Sequence, residues 1–329
     1  MQHTQRTHAP LWWIGIGVIA LTAIFALAGA GWDWSYVIPK RLVRLAAIVV
    51  GGICVAVSAI VFQTLAGNRI LTPAVMGYEA VYLLWQALLL LILGAEGLAA
   101  LGLRGNFAIS VVLMLLYSCV IDWWLLGRSA RKKRASDGKA DVYVLLLVGL
   151  VLTMVIGTFT QFVQLRISPG EFAVFQGLSY ASFNRARPET LAYAAVAIVM
   201  VLTVLRKTLS VLDVMALGRE AAISLGVEHA RSTRLHLALI ALLVAVSTSL
   251  IGPTAFMGVF VANIAYALAP SARHRITLPL GCAITVAIFI VAQLLVEHVF
   301  NYKTTVTILV NLVCGVYFLA LTIRSRGNP

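Results

Sequence analysis

Acidic side chains inside long apolar runs are the first residues in this sequence that could do chemistry. Glu79 and Glu297 both stand in such runs, where an ionised carboxylate is costly and is therefore a candidate for function. Glu79 could contribute to a transport pathway or to a contact with another subunit. It could equally have a structural role, with its charge neutralised by a neighbour or within reach of water, and the residues alone leave both interpretations open.

Uncharged polar residues form a stripe in another apolar run. Thr160, Gln161 and Gln164 follow Gly157 at intervals of three and four residues, which places them on one face of an α-helix. A polar face is unfavourable against lipid, so we expect it to contact protein or a water-filled path. Together with Glu79, these three residues are our candidates for a transport pathway.

The motifs of common catalytic sites are missing from the sequence. It contains no GxxxxGK[ST] phosphate-binding loop, no HExxH zinc motif and no GxSxG nucleophile motif. The six histidines are scattered with no pair at ligand spacing inside one run, and the four cysteines show no CxxC spacing. We therefore predict no catalytic residue, no cofactor and no metal site in this chain.

The composition excludes soluble classes of protein. Of the 329 residues, 61% are hydrophobic and only 11% are charged, whereas a soluble domain has about 25% charged residues. A formal net charge of +13 would suggest nucleic acid as the partner of a soluble protein. In a membrane protein the same excess fits the enrichment of Lys and Arg in cytoplasmic loops. We predict an all-α polytopic membrane protein with no nucleic-acid partner.

Ten apolar segments are long enough to be candidate transmembrane helices. They cover residues 11–30, 45–66, 74–94, 107–126, 142–164, 189–206, 235–251, 254–269, 279–299 and 305–323. With both termini in the cytoplasm, seventeen of the 25 Lys and Arg residues also lie on that side. We expect one domain, residues 1–329, with a short cytoplasmic tail at 1–10. The eighth segment follows Gly252-Pro253, which predicts a broken or tilted helix.

Two polar connections have patterns that predict short helices outside the spans. The cytoplasmic segment 207–234 contains LSVLDVMALGREAAISLGVE, with apolar residues at helical spacing and Gly226 as the expected C-cap. Such a helix could lie on the membrane surface or dock a partner. The outer segment 165–188 is too polar to span, and it predicts a re-entrant or interfacial helix near 171–178.

The segment KRLVRLAAIVVGG at 40–52 carries Arg41 and Arg44 three residues apart at the start of the second span, and it is the first of four motifs that point to one family. It resembles the R-x-x-R opening of the second span in the permease subunits of iron–siderophore ABC importers, the family that also holds the cobalamin permease. The resemblance implies that these arginines face the periplasm and pair with glutamates of a substrate-binding protein. Snorkelling to the membrane interface is the alternative explanation.

A second motif resembles the family's cytoplasmic gate. FQTLAGNRILTPAVMG at 62–77 is similar to Q-x-x-x-x-N-P-L-A-x-P-x-x-x-G, although Arg69 replaces the usual proline. In the family this turn contributes to the gate on the cytoplasmic side, which implies a gating role for Asn68 and Ile70. A capped tight turn with no further role is the alternative.

The third motif is the most specific. LGREAAISLGVEHARSTRL at 217–235 is similar to the family's L-G-x-x-x-A-x-x-L-G-V. The resemblance implies that this segment is the coupling helix, which fits a cleft in a separate ATPase subunit and moves the spans when the ATPase closes. The coupling residues that it implies are Gly218, Arg219, Glu220, Ala222, Leu225 and Gly226.

The fourth motif matches the family only in part. IGPTAFMGVFVANIAYAL at 251–268 resembles G-P-I-x-F-V-G-L-x-x-P-H-x-x-R, but Ala262, Asn263 and Tyr266 stand where Pro, His and Arg are usual. NRILTPAVMGYEAVYLL and NLVCGVYFLAL look most like the second permease of two-permease systems for catechol-type siderophores. That branch implies a heterodimer with a different permease in preference to a homodimer.

The resemblance implies a complete importer around this chain. The chain would carry a ferric siderophore, of catecholate type, across the bacterial inner membrane by alternating access. Its partners would be a second permease, ATPase subunits, a periplasmic binding protein and the surrounding lipid, with the pathway along the interface between the permeases. Two alternatives stay open: a haem or cobalamin permease of the same family, and a proton-coupled secondary transporter with Glu79 as the relay.

Overall fold

The computed structural model describes residues 9–27, 37–131, 138–254 and 256–326. In this part of the chain the secondary structure is helical throughout and contains no strand, so the all-α prediction is confirmed there. Most of the predicted tail, residues 1–8, lies outside the described residues. The helices are α1 (Ala9–Leu27), α2 (Val37–Ala66), α3 (Tyr78–Arg131), α4 (Gly138–Gln164), α5 (Pro169–Leu178), α6 (Pro188–Met215), α7 (Arg219–Ser224), α8 (His229–Ile251), α9 (Met257–Leu268), α10 (His274–Leu294) and α11 (Val306–Arg326).

Long apolar helices dominate this architecture. Among the described residues, six helical segments are long and apolar enough to cross a membrane, and three shorter apolar helices accompany them. The six are Val37–Ala66, Tyr78–Ile121, Leu146–Gln164, Pro188–Met215, His229–Ile251 and His274–Val299. Their length and composition agree with a multi-pass membrane protein.

The helical element α3 folds back on itself and accommodates two of the predicted spans. Gly94 and Gly102 have non-helical dihedral angles, with φ of 69° and 68°. Beyond them the chain runs back along the first arm. The hydrogen bond that the Gln86 amide donates to Asn106 Oδ1 at 3.1 Å shows that the two arms lie side by side. The two arms correspond to the predicted segments 74–94 and 107–126.

Helices α2, α8 and α10 form the buried centre, and glycines let them approach closely. A Cβ atom on Gly51 of α2 would lie 2.6 Å from Ile251 of α8, and one on Gly281 of α10 would lie 2.5 Å from Ile60 of α2. Small residues are typical of helix contacts in membranes, where van der Waals packing drives association. The spans of α4 and α6 are mostly exposed in the isolated chain, so their outer faces are free for lipid or for other subunits.

A short 3-10 turn, Pro73–Met76, interrupts the helices between α2 and α3. Its carbonyl groups find partners on neighbouring helices: the Tyr117 hydroxyl donates to Met76 O at 2.8 Å, and Thr153 Oγ1 donates to Val75 O at 3.4 Å. Helix α4 reaches the turn through Gly149, where a Cβ atom would lie 3.0 Å from the Met76 Cα atom. Non-helical backbone inside a membrane protein requires such protein partners.

Two helices begin earlier than the predicted spans. Helix α2 begins at Val37, before the predicted start at residue 45, and α8 begins at His229, before residue 235. In both cases the first turns carry arginines, which lower the local hydropathy without breaking the helix. Arg41 and Arg44 therefore lie within α2, where predicted boundaries had placed them before it.

The close contact at Gly149 gives a first test. Gly149→Ala should force α4 away from the 3-10 turn and lower the free energy of unfolding by about 1–3 kcal/mol, as overpacking usually does. Gly157→Ala is the matched control on the same helix, since a Cβ atom there meets nothing within 4 Å. Reversible denaturation of both variants in mixed micelles measures the difference. Equal stability of the two variants would contradict the packing described for α4.

Candidate functional site

The predicted coupling segment is a short exposed helix between two glycine turns. Helix α6 continues to Met215 and α8 starts at His229, so the polar connection is shorter than the predicted 207–234. Gly218 has a φ of 99° before α7, and Gly226 has a φ of 82° after it. Both angles favour glycine, so these two residues fix the directions in which the chain enters and leaves α7.

The side chains of α7 divide into an anchor and an exposed surface. Ala222 is fully buried, and its carbonyl accepts a hydrogen bond from Val227 N at 3.0 Å. Arg219 and Glu220 are exposed. Leu225 is 62% exposed although it is apolar. Exposed apolar side chains next to a charged pair are typical of a surface that another protein covers. Of the six predicted coupling residues, only Ala222 lies on the interior side.

The predicted gate is a tight turn directly after α2. Gly67 has a φ of 60°, and the Asn68 Oδ1 atom accepts a hydrogen bond from Ile70 N at 2.9 Å. Ile70 is 60% exposed and lines a groove of about 320 Å³ with residues of α9 and α11, among them Val259 and Tyr317. The capped turn of the simpler interpretation is present, and the gating role of Asn68 and Ile70 stays a prediction.

Glu79 lies at the break between α8 and α9. Helix α8 ends at Ile251, Gly252 has a φ of 98°, and α9 begins at Met257. The Glu79 Oε1 atom accepts a hydrogen bond from Thr254 N at 3.0 Å. A small cavity of about 30 Å³ adjoins Glu79 and hydroxyl groups of α8. The hydrogen bond to Thr254 N agrees with a structural role for Glu79, one of the two interpretations that the sequence left open. The pathway role of Glu79 stays a prediction.

Arg185 donates hydrogen bonds to backbone carbonyl groups at the same break, and the sequence analysis missed this residue. Its guanidinium donates to Ile251 O at 3.1 Å and also to Tyr180 O. A Cβ atom at Gly252 would lie 2.8 Å from Tyr180 O, so glycine is needed for this close approach. Gly252-Pro253 indicates the break in the sequence, but nothing in the local pattern indicates which distant arginine donates to the free carbonyl groups there.

The two arginines predicted to dock a binding protein pair with Glu297 inside the chain. Arg44 Nη1 lies 2.8 Å from Glu297 Oε1, and Arg41 Nη2 lies 4.0 Å from Glu297 Oε2. The Glu297 side chain is 6% exposed, that of Arg41 is 11% and that of Arg44 is 25%. The pair joins α2 to the helical turn that follows α10. Docking by these arginines stays a prediction, and Arg44 is the more accessible of the two.

The predicted polar stripe on α4 is divided between two environments. Thr160 is 3% exposed, and its hydroxyl donates to Ile156 O at 2.8 Å. Gln161 is exposed and Gln164 is half-buried. The structure therefore does not present the three side chains on one surface. Gln161 belongs to the outer face of α4, which is open to another subunit, and the pathway role of all three stays a prediction.

The partners of Arg185 give a second test. Arg185→Met would leave the carbonyls of Ile251 and Tyr180 without this donor, and we expect the free energy of unfolding to fall by about 2 kcal/mol. Arg187→Met is the control, because Arg187 is exposed two residues along the same connection. Denaturation in mixed micelles compares the two variants with the parent. Loss of stability in both, to the same extent, would show that Arg185 has no special part in holding the break.

Comparisons with known proteins agree with this architecture over nearly the whole chain. The model of the FecCD transport family matches residues 11–324. The petrobactin import system permease protein YclO of Bacillus subtilis is 31% identical over 315 residues, which cover 96% of this chain and 96% of YclO. The petrobactin import system permease protein FatC of Bacillus anthracis is 30% identical over 291 residues, which cover 88% of this chain and 80% of FatC.

A solved structure has the same fold. A metal-chelate type ABC transporter in an inward-facing conformation superposes with a TM-score of 0.80 at 17% identity, over 95% of this chain and 98% of that chain. The family match covers far more than half of the sequence, and it agrees with the four motifs quoted above. This chain therefore belongs to the FecCD transport family, the permease subunits of iron–siderophore ABC importers, which are transport proteins and not enzymes.

Proposed function

We propose that this chain is the permease subunit of an ABC importer that carries a ferric siderophore of catecholate type into the cytoplasm by alternating access. Two relatives at 30% identity or above bear the name of petrobactin import, which supports a siderophore as the cargo. The resemblance of NRILTPAVMGYEAVYLL and NLVCGVYFLAL to the second permease of catechol-siderophore systems supports the catecholate class.

The exposed helix α7 is the observation that carries the proposal. Its apolar and charged side chains protrude between two glycine turns, and Ala222 anchors it to the membrane helices beside it. A motor protein that grips this surface would move α6 and α8 with it, because only residues 216–218 and 225–228 separate α7 from these two helices. Gly218, Arg219, Glu220, Leu225 and Gly226 would then present the coupling surface to an ATPase subunit.

The complete transporter would contain a second permease, ATPase subunits and a periplasmic binding protein. In our proposal the chain crosses the bacterial inner membrane ten times with both termini in the cytoplasm, and α3 supplies two of the spans. The heterodimer is favoured because Ala262, Asn263 and Tyr266 depart from the family's P-H-x-x-R. A different permease would supply the residues that this chain lacks.

The pathway would run along the interface between the two permeases. The outer face of α4 with Gln161, and the groove beside Ile70 lined by α9 and α11, are surfaces that a second permease could share. A bulky iron complex needs a wide path that binds weakly, since tight binding would slow release. Asn68 and Ile70 would form the cytoplasmic gate at its inner end.

The alternatives make different demands on the same residues. A haem or cobalamin permease would share the coupling helix and differ only in cargo. A proton-coupled transporter would need Glu79 to bind and release a proton during each cycle. Because Glu79 accepts a hydrogen bond from Thr254 N at the helix break, protonation would weaken the support of that break. The contact therefore favours a structural Glu79 over a proton relay.

Uptake by the reconstituted importer tests the proposal. Proteoliposomes that hold this chain, its partner permease and the ATPase are mixed with the binding protein and iron-loaded petrobactin. We expect uptake that requires ATP, and lower uptake of iron-loaded hydroxamate, haem and cobalamin.

The variant Arg219→Ala/Glu220→Ala removes both exposed charges of α7 and should reduce ATPase co-purification and uptake together. Uptake without any ATPase, or uptake abolished by Glu79→Gln alone with the fold intact, would instead support the proton-coupled alternative.

Docking of the binding protein can be separated from the internal ion pair. Arg44→Glu should weaken the affinity of the binding protein by about tenfold, as loss of an interfacial charge pair commonly does. It should also destabilise the permease, because it places a second carboxylate beside Glu297. Adding Glu297→Arg restores an internal ion pair, so the double variant should regain stability without regaining affinity. If affinity returns together with stability, the arginine acts only within the chain.

A further inference from the structure

A group of polar contacts joins four helices, α2, α6, α9 and α10, near the coupling helix α7 and the turn after α2. Asp213 lies in the last turn of α6, just before the coupling helix. Its Oδ1 atom accepts two hydrogen bonds from His274, from the backbone N at 2.8 Å and from the ring Nδ1 at 2.6 Å. The His274 side chain is 3% exposed, and that of Asp213 is 32% exposed. The carboxylate thus caps the first turn of α10 and holds α6 to it.

The opposite side of the same imidazole reaches α2. His274 Nε2 lies 2.8 Å from the Thr64 hydroxyl, and that hydroxyl also lies 3.0 Å from Ile60 O. Thr64 belongs to the last turn of α2, immediately before the gate turn. One side chain therefore connects the end of α6 with the helix that carries the gate.

The contacts continue from α2 through α9 to the gate turn itself. The Tyr266 hydroxyl donates to Ile60 O at 3.4 Å, so it shares this acceptor with Thr64. The Arg69 guanidinium lies over the Tyr266 ring, 4.8 Å from its centroid, which is a favourable cation–π distance. Asn263 Nδ2 donates to Arg69 O at 3.1 Å and fixes the backbone of the same turn.

We propose that Asp213, His274, Thr64, Tyr266 and Arg69 form a mechanical relay that transmits movement of the coupling helix to the cytoplasmic gate. This inference rests on the proposed function. A displacement of the end of α6 by the ATPase pulls on α10 through Asp213 and His274. The end of α2 follows through Thr64, and the Tyr266–Arg69 contact moves the gate turn. Residues in the relay position the gate and do not bind cargo.

Two contacts at the gate turn support the last link. The Arg69 cation stands on the turn, the Tyr266 ring stands on α9, and the two are in contact. Asn263 of α9 donates to the carbonyl of the same arginine. Both contacts hold the gate turn to α9.

A second histidine contact provides a matched control. Thr208 Oγ1 lies 3.2 Å from His236 Nε2 and joins α6 to α8. It has the same chemistry as the contact between Thr64 and His274, but it lies on helices that do not carry the gate turn. Its loss should therefore leave the relay intact.

The experiment uses the assembled transporter in proteoliposomes and measures ATP hydrolysis and uptake of iron-loaded petrobactin on the same samples. The variants are Asp213→Asn, Thr64→Val and Arg69→Gln, with Thr208→Val as the control. We expect each relay variant to hydrolyse ATP at a rate within about twofold of the parent and to lose about tenfold in uptake, in the range reported for residues along coupling networks. The control should keep both activities.

Non-additivity distinguishes one relay from separate structural defects. The double variant Thr64→Val/Arg69→Gln should lose no more uptake than the worse of its two single variants, because both interrupt the same path. Arg69 is exposed, so Arg69→Gln decides the matter even if a variant at the buried end fails to assemble. Full uptake by Arg69→Gln, or losses that multiply in the double variant, would overturn the relay while leaving the proposed function standing. A parent transporter without ATP-dependent uptake of petrobactin would overturn the proposed function and the relay with it.

Discussion

The rest of this structure depends on one constraint: where a helix breaks at membrane depth, the freed backbone groups must find partners inside the protein. At the break between α8 and α9, Glu79 accepts from Thr254 N and Arg185 donates to Ile251 O. At the turn before α3, the Tyr117 and Thr153 hydroxyls donate hydrogen bonds to the carbonyl groups of Met76 and Val75. Glu79, a candidate for transport chemistry in the sequence, thus helps to hold irregular backbone in place.

Packing divides the described part of the chain into a buried centre and exposed connections. Helices α2, α8 and α10 pack closely through glycines such as Gly51 and Gly281, where a Cβ atom would meet the ends of the Ile251 and Ile60 side chains. Helix α7 and the turn after α2 lie at the surface. Ala222 anchors α7, and Asn263 and Tyr266 contact Arg69 of the turn. In our proposal, a force applied at α7 reaches the gate turn without repacking of the core.

The sequence predicted well those features that depend on local pattern. The all-α class, a helix near 171–178, the break at Gly252-Pro253 and the short helix after Gly218 all follow from hydropathy, capping residues and glycines. It predicted poorly what depends on distant partners. Glu297 was recognised as an acidic residue in a span, but its pairing with Arg44 links residues at opposite ends of the chain. Arg185 was missed for the same reason, and the spacing of Thr160 and Gln161 did not indicate that neighbouring helices bury only the first.

The pairing of Arg44 with Glu297 has a consequence for the docking that we propose for this arginine. An incoming carboxylate would not meet an unpaired cation, because the carboxylate of Glu297 already pairs with Arg44 at high effective concentration. Capture would then proceed by exchange, with the incoming acid displacing Glu297 and releasing it again on departure. An importer assembled in this way would bind its delivery protein briefly, and rising ionic strength would loosen the visitor more than the tethered rival.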